Sequence, residues 1–132
     1  WSDKGLLTSL PNPGESGYEV GVNTAELAFV GVKEQPDYGS LLVIFYPKDK
    51  IIELRAFKLY LQQFRTKIIS YERLINVIYD DLMNVYEPAR LRMVLELNPR
   101  GGISSKLTID SDWSCRGGKE IFKDWVENET KF

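Results

Sequence analysis

An α+β sandwich, two helices packed on one face of an antiparallel sheet, is the fold class that this sequence predicts. Three observations carry it. Strand-like segments come first and last, and the stretch between Pro47 and Pro88 is helical in pattern. Within that stretch, Leu54, Phe57, Leu61 and Phe64, and then Leu74, Val77, Ile78, Leu82 and Val85, recur at three- and four-residue steps, which gives each helix one apolar face. After Arg90 the period changes to two. Leu91, Met93, Leu95 and Leu97 alternate with polar residues, and so do Ile103, Ser105, Leu107 and Ile109 across a turn at Asn98-Pro99-Arg100-Gly101-Gly102, a hairpin pattern.

Taken in order, residues 1–22 carry the turn signals Pro11-Asn12-Pro13-Gly14 and Glu15-Ser16-Gly17, and an extended, partly mobile arm is expected there. Residues 23–132 are expected to form one domain. Leu27, Phe29 and Val30 suggest a short strand, and residues 32–39 a loop holding Gln35-Pro36-Asp37. Residues 41–46 are a continuous run of strand formers, ended by Pro47-Lys48-Asp49-Lys50. The first helix is placed at about residues 53–65 and the second at about 71–86. The second starts near Ser70 and is closed by Glu87-Pro88, because the residue before a proline disfavours helix. Past the hairpin, Gly117-Gly118 lets the chain turn, and residues 120–126 read as a short amphipathic helix. A sheet of this kind has open edges in a monomer, which invite closure with neighbouring copies.

With 132 residues, 43% hydrophobic and 27% charged, the chain matches one ordinary globular domain. A net charge of -2 gives no electrostatic footprint for nucleic acid or an acidic membrane surface. No apolar run approaches the roughly 20 residues that span a bilayer. Cys115 is the only cysteine, so no internal disulfide can form and a reducing cytoplasm is expected. The sequence opens on Trp1 without a signal-peptide pattern, so its true start is expected to lie upstream. The chain contains no histidine. This excludes histidine acid–base catalysis and Ser-His or Cys-His pairs, and it leaves zinc only carboxylates and water, a rare donor set.

Among single residues, Glu72 falls in the first turn of the second helix, where unpaired N–H groups and the helix dipole favour a held, ionised carboxylate. Such a group suits a donor-rich ligand, and the same pattern also describes an ordinary first-turn acid. Asp80-Asp81 reads as a solvated face, because adjacent helical residues point about 100° apart and converge poorly on a metal ion. Cys115 reads as an ordinary thiol near the chain end.

Gln35-Pro36-Asp37-Tyr38-Gly39-Ser40, the stretch from Glu53 through Lys58 to Tyr60, Phe64-Arg65, Tyr71-Glu72 and Arg100-Gly101-Gly102-Ile103 together resemble the linked motifs of the QueF family. These are the NADPH-dependent 7-cyano-7-deazaguanine reductases of queuosine biosynthesis, within the tunnelling-fold (T-fold) superfamily. The resemblance covers roughly residues 27–112. It implies a four-stranded antiparallel sheet with two helices on one face, and a homo-oligomeric ring whose sheets join into a barrel. It implies that Glu72, with Tyr71 beside it, anchors a purine or deazapurine. It also implies that Asp37 protonates the nitrile nitrogen. Glu53, Lys58, Tyr60, Arg100, Gly101 and Gly102 then belong to the NADPH site, and no zinc is involved. Arg55 stands where the family usually has lysine, and Tyr71 where it usually has histidine. The largest departure is Val30, at the position of the family's nucleophilic cysteine, seven residues before Asp37. A thioimide needs a thiolate, which Val30 cannot supply. The alternatives are therefore a non-catalytic purine- or pterin-binding homologue or subunit, or a different metal-free T-fold reaction on such a ring.

Overall fold

The computed structural model describes residues 1–15 and 17–112. The expected turn at Gly117-Gly118, the helix over residues 120–126 and Cys115 lie outside the described residues. In chain order the elements are β1 (Ser9–Pro11), β2 (Val20–Val30), β3 (Pro36–Tyr46), β4 (Lys50–Ile52), α1 (Leu54–Gln62) continued by a 3-10 turn (Gln63–Thr66), α2 (Tyr71–Tyr86), β5 (Arg90–Arg100) and β6 (Ile103–Asp110). The main sheet is antiparallel, in the order β2-β3-β5-β6, and β1 and β4 form a separate small ladder. The α+β architecture with two helices is thus the one expected.

The core lies between this sheet and the helices. Leu41, Val43 and Phe45 of β3 and Leu91, Met93 and Leu95 of β5 alternate onto one face and are buried there. Leu74, Ile78 and Leu82 of α2 meet them with no exposed surface, and each is worth about 1.5–3 kcal/mol of burial. From α1 and its extension, Phe57 stacks on Tyr60, and Phe64 meets Tyr60 edge to face. Helix α2 begins where Ser70 accepts a hydrogen bond from the Arg73 N–H at 3.2 Å, and it ends at Glu87 in a left-handed conformation before Pro88. The β5–β6 turn places Gly101 and Gly102 at φ 57° and 79°, the pair of positive φ values that a tight hairpin requires.

Four local expectations change. Strand β2 has 11 residues rather than being short, and β3 begins at Pro36, so Asp37 stands on a strand and not in a loop. The alternation of β2 is hidden by a bulge between Thr24 and Leu27. The first residues pack more tightly than their turn-rich composition suggests. Leu7 is buried, the Tyr86 hydroxyl donates to the Thr8 carbonyl at 2.8 Å, and the Arg73 guanidinium sits 4.5 Å from the centre of the Trp1 ring. Of the Asp80-Asp81 pair, Asp80 is exposed, but Asp81 is half-buried and accepts hydrogen bonds from Tyr60 and Ser2 at 2.5 Å each. Burial, reinforced by that bond to Asp81, pushes the Tyr60 phenol far above its ordinary range.

Asp110 closes the far end of the sheet. It is 1% exposed, and Arg90 donates to it through two nitrogens at 2.7 and 3.1 Å, Arg92 at 3.3 Å and the Asp112 N–H at 2.9 Å. Burial pushes its carboxyl up, but these donors outweigh burial and hold it below the usual carboxylate range. Its stabilisation is therefore fully present above an unfolded value of about 4 and is lost as pH falls through the folded value. Asp110→Asn is expected to cost about 1–3 kcal/mol at pH 7, a figure kept modest because Arg90 is partly solvated. Urea titrations at pH 7 and pH 3 check it: the gap between the two proteins should shrink at the lower pH.

Candidate functional site

Asp37 and Glu72 come from different elements and line one cleft of about 350 Å³. Asp37 shares the face of β3 that holds Gly39, Leu41 and Val43, two residues apart each time, and so it points toward the helix layer at the end of the sheet. The start of α2 lies over that end and contributes Ser70, Tyr71 and Glu72. Leu97 and Ile103, from either side of the β5–β6 turn, form the opposite wall. Tyr71 is half-buried and Glu72 is exposed to solvent. The cleft is thus lined by two acids from different elements, and one of them stands in the first turn of a helix, where N–H groups lack intrahelical partners.

The segment before Asp37 is a tight loop. The Gly31 N–H donates to the Gln35 carbonyl at 2.7 Å, and the Glu34 N–H donates back to the Gly31 carbonyl at 2.7 Å, with Glu34 at φ 62°. A side chain at Gly31 would overlap the Gln35 amide and come within 2.6 Å of Asp37 Oδ2, so it would displace the Gln35 side chain from its place against Asp37. Gln35 Nε2 in turn donates to Asp37 Oδ2 at 3.4 Å, while its Oε1 is buried without a hydrogen-bond partner. Gln35 and Gly31 escape sequence reasoning as site residues because their role is contact with Asp37, which only the folded loop creates.

Val30 is near this cleft but not in it. It pairs with Pro36 in the β2–β3 ladder, while Phe29 pairs with Asp37, so alternation turns Val30 to the opposite face of the sheet. There it lines a groove of about 600 Å³ with Tyr38, Arg65 and Asn98. Asn98 lines the Asp37–Glu72 cleft as well, so the two spaces meet at that residue.

The residues expected at a cofactor are dispersed. Glu53 caps α1, accepting from the Arg55 and Ala56 N–H groups at 3.3 and 2.6 Å. Tyr60 is fully buried and its hydroxyl donates to Asp81. Lys58, with Leu54, Phe57, Leu61 and Arg65, lines a groove of about 280 Å³ between α1 and β2. Arg100, Gly101 and Gly102 form the β5–β6 turn, between two stretches that border the Glu72 cleft. The Lys58 groove combines the two cations Lys58 and Arg65 with the apolar side chains of Leu54, Phe57 and Leu61. Among the described residues no group of three carboxylate or thiol side chains is arranged to hold a metal ion, and no helix is long and apolar enough to cross a membrane.

A family model described as QueF-like protein matches residues 36–116. The NADPH-dependent 7-cyano-7-deazaguanine reductase of Prochlorococcus marinus (strain NATL2A) is 35% identical over 112 residues, 81% of this chain and 78% of its own. The protein of the same name from Thermomicrobium roseum is 32% identical over 120 residues, covering 89% of this chain and 94% of its own. Among solved structures, the archaeosine synthase QueF-Like in the apo form superposes with a TM-score of 0.63 at 14% identity, over 74% of this chain and 95% of that one. At that identity the likeness is one of fold.

Proposed function

The chain belongs to the QueF family, and from that premise we propose that it binds a 7-deazaguanine or a closely related purine between Glu72 and Asp37. One observation carries this reading: two acids from distant parts of the sequence line a single cleft. Glu72 accepts two donors from the ring, the ring N–H and the exocyclic amine. Tyr71 flanks the ring. Asp37, steadied by Gln35, is placed to deliver a proton to a nitrogen at the far side of the ligand.

Val30 favours a second element of the reading. A purine-binding member of the family that lacks the covalent step on its own chain accounts for both the kept anchor and the lost nucleophile. NADPH, when bound, is the hydride source of the family's chemistry, and Lys58 is the residue of this chain best placed to hold its phosphates. We also take the chain to assemble with copies of itself, since among the described residues β2 and β6 are the edge strands of the sheet.

Calorimetry with 7-cyano-7-deazaguanine, guanine and a pterin tests the reading, together with an NADPH-oxidation assay and light scattering on the same sample. The expected result is binding of the deazapurine, no NADPH consumption and an oligomer. Failure of all three rings to bind overturns the purine reading, and a monomer at micromolar concentration overturns the assembly.

A further inference from the structure

Three spaces on this molecule share walls. The Lys58 groove and the Val30 groove have Glu26, Ala28 and Arg65 in common, and the Val30 groove and the Glu72 cleft have Asn98 in common. The three grooves therefore adjoin one another in a row, a segmented trough from α1 past the end of β2 to the start of α2. Arg65 stands at the first junction. Its side chain is exposed, and among the described residues neither it nor Lys58 has an ion-pair partner. The bulge between Thr24 and Leu27 takes this part of β2 out of regular register, and Thr24, Glu26 and Leu27 line the same groove as the two cations.

We propose that Arg65 is a second phosphate-binding residue for the dinucleotide, and that NADPH lies along this trough with its phosphates between Lys58 and Arg65 and its far end directed past Val30 toward Asn98. The inference deepens the reading above and rests on it. Charge and shape both favour this occupant. A planar guanidinium binds a phosphate through two parallel N–H bonds, and the ammonium of Lys58 adds a point charge at the other end of the first groove. Leu54, Phe57 and Leu61 supply an apolar floor for a ring, and Glu26, at the junction, is an acceptor within the trough for sugar hydroxyls. The Val30 end leads into the space where the ring held by Glu72 is open to approach.

The test is NADPH binding to the full chain, followed by the fluorescence of the reduced nicotinamide, with no turnover required. Arg65→Ala is expected to weaken NADPH about 10-fold, Lys58→Ala by a similar factor and Arg65→Lys by less. Deazapurine affinity should stay unchanged in all three, and a thermal melt matching the unmodified chain would show that exposed Arg65 is not needed for folding. Unmodified chain that binds NADPH, with Arg65→Ala binding equally well, overturns the role of Arg65 and leaves the cofactor reading standing. Failure of the unmodified chain to bind NADPH overturns both, and the purine measurement then stands by itself.

Discussion

Glu72→Ala is expected to cost about 2–5 kcal/mol of deazapurine binding, with the fold unaffected. The fold is spared because α2 is capped by Ser70 and anchored by Leu74, Ile78 and Leu82, none of which needs the Glu72 carboxylate. Binding is not spared, because two ligand donors lose a charged acceptor at once. Glu72 is exposed before ligand arrives, so it is the ligand that removes it from water. The lower end of the range applies if the ring leaves the carboxylate partly solvated, and the upper end if a neighbouring copy closes the cleft. Glu72→Gln keeps the shape but replaces one acceptor oxygen with a donor, so it should bind nearly as poorly. Calorimetry on both variants checks this. Unchanged affinity would reduce Glu72 to a first-turn acid that merely complements the helix dipole.

The sequence makes α2 legible because three signals coincide there: apolar residues at helical spacing, a serine cap and Glu87-Pro88 at the end. The β5–β6 hairpin is equally legible, since Gly101-Gly102 sits between two alternating runs. Strand β2 is not, because its bulge shifts the alternation midway and Leu27 falls out of phase with Val20 and Val22. The packing of residues 1–8 is hidden for a different reason. It depends on single long-range contacts, Leu7 in the core and Thr8 beneath Tyr86, which have no periodicity to read. The site divides in the same way. Asp37, Tyr71 and Glu72 stand in recognisable motifs and do line one cleft. Glu53 and Tyr60 stand in a motif too, yet their side chains serve the helix cap and the core. A motif records which residues are kept together and does not distinguish a residue kept for a ligand from one kept for the scaffold. Arg65 and Gln35 make the complementary case: both lie inside quoted motifs, and only the folded chain sets them at a junction of grooves and against Asp37.

Incubation with 7-cyano-7-deazaguanine is expected to leave the mass of the intact protein unchanged. A thioimide forms when a thiolate adds to the nitrile carbon and the nitrile nitrogen takes up a proton. Nothing leaves in that step, so an adduct would add the full mass of the ligand. Val30 offers only methyl groups, and its backbone is already committed, donating to the Lys67 carbonyl and accepting from the Ile69 N–H. In the role proposed for Asp37, a positioned acid contributes roughly 10²–10⁴-fold, which does not replace a missing bond-forming partner. An adduct that maps to Cys115 by peptide digestion would overturn this prediction by showing that another thiol of the chain had taken the role. Val30→Cys is the constructive counterpart. The substitution nearly conserves volume at a half-buried position, so the fold should survive it. The new sulfur lies in the groove that meets the Glu72 cleft at Asn98. A deazapurine anchored on Glu72 with its nitrile directed to that junction should therefore form the adduct, and adding Glu72→Ala should abolish it at the same ligand concentration. If folded Val30→Cys gives no adduct while still binding the ring, the nitrile points away from β2, and the family's nucleophile position no longer borders the reacting carbon in this chain.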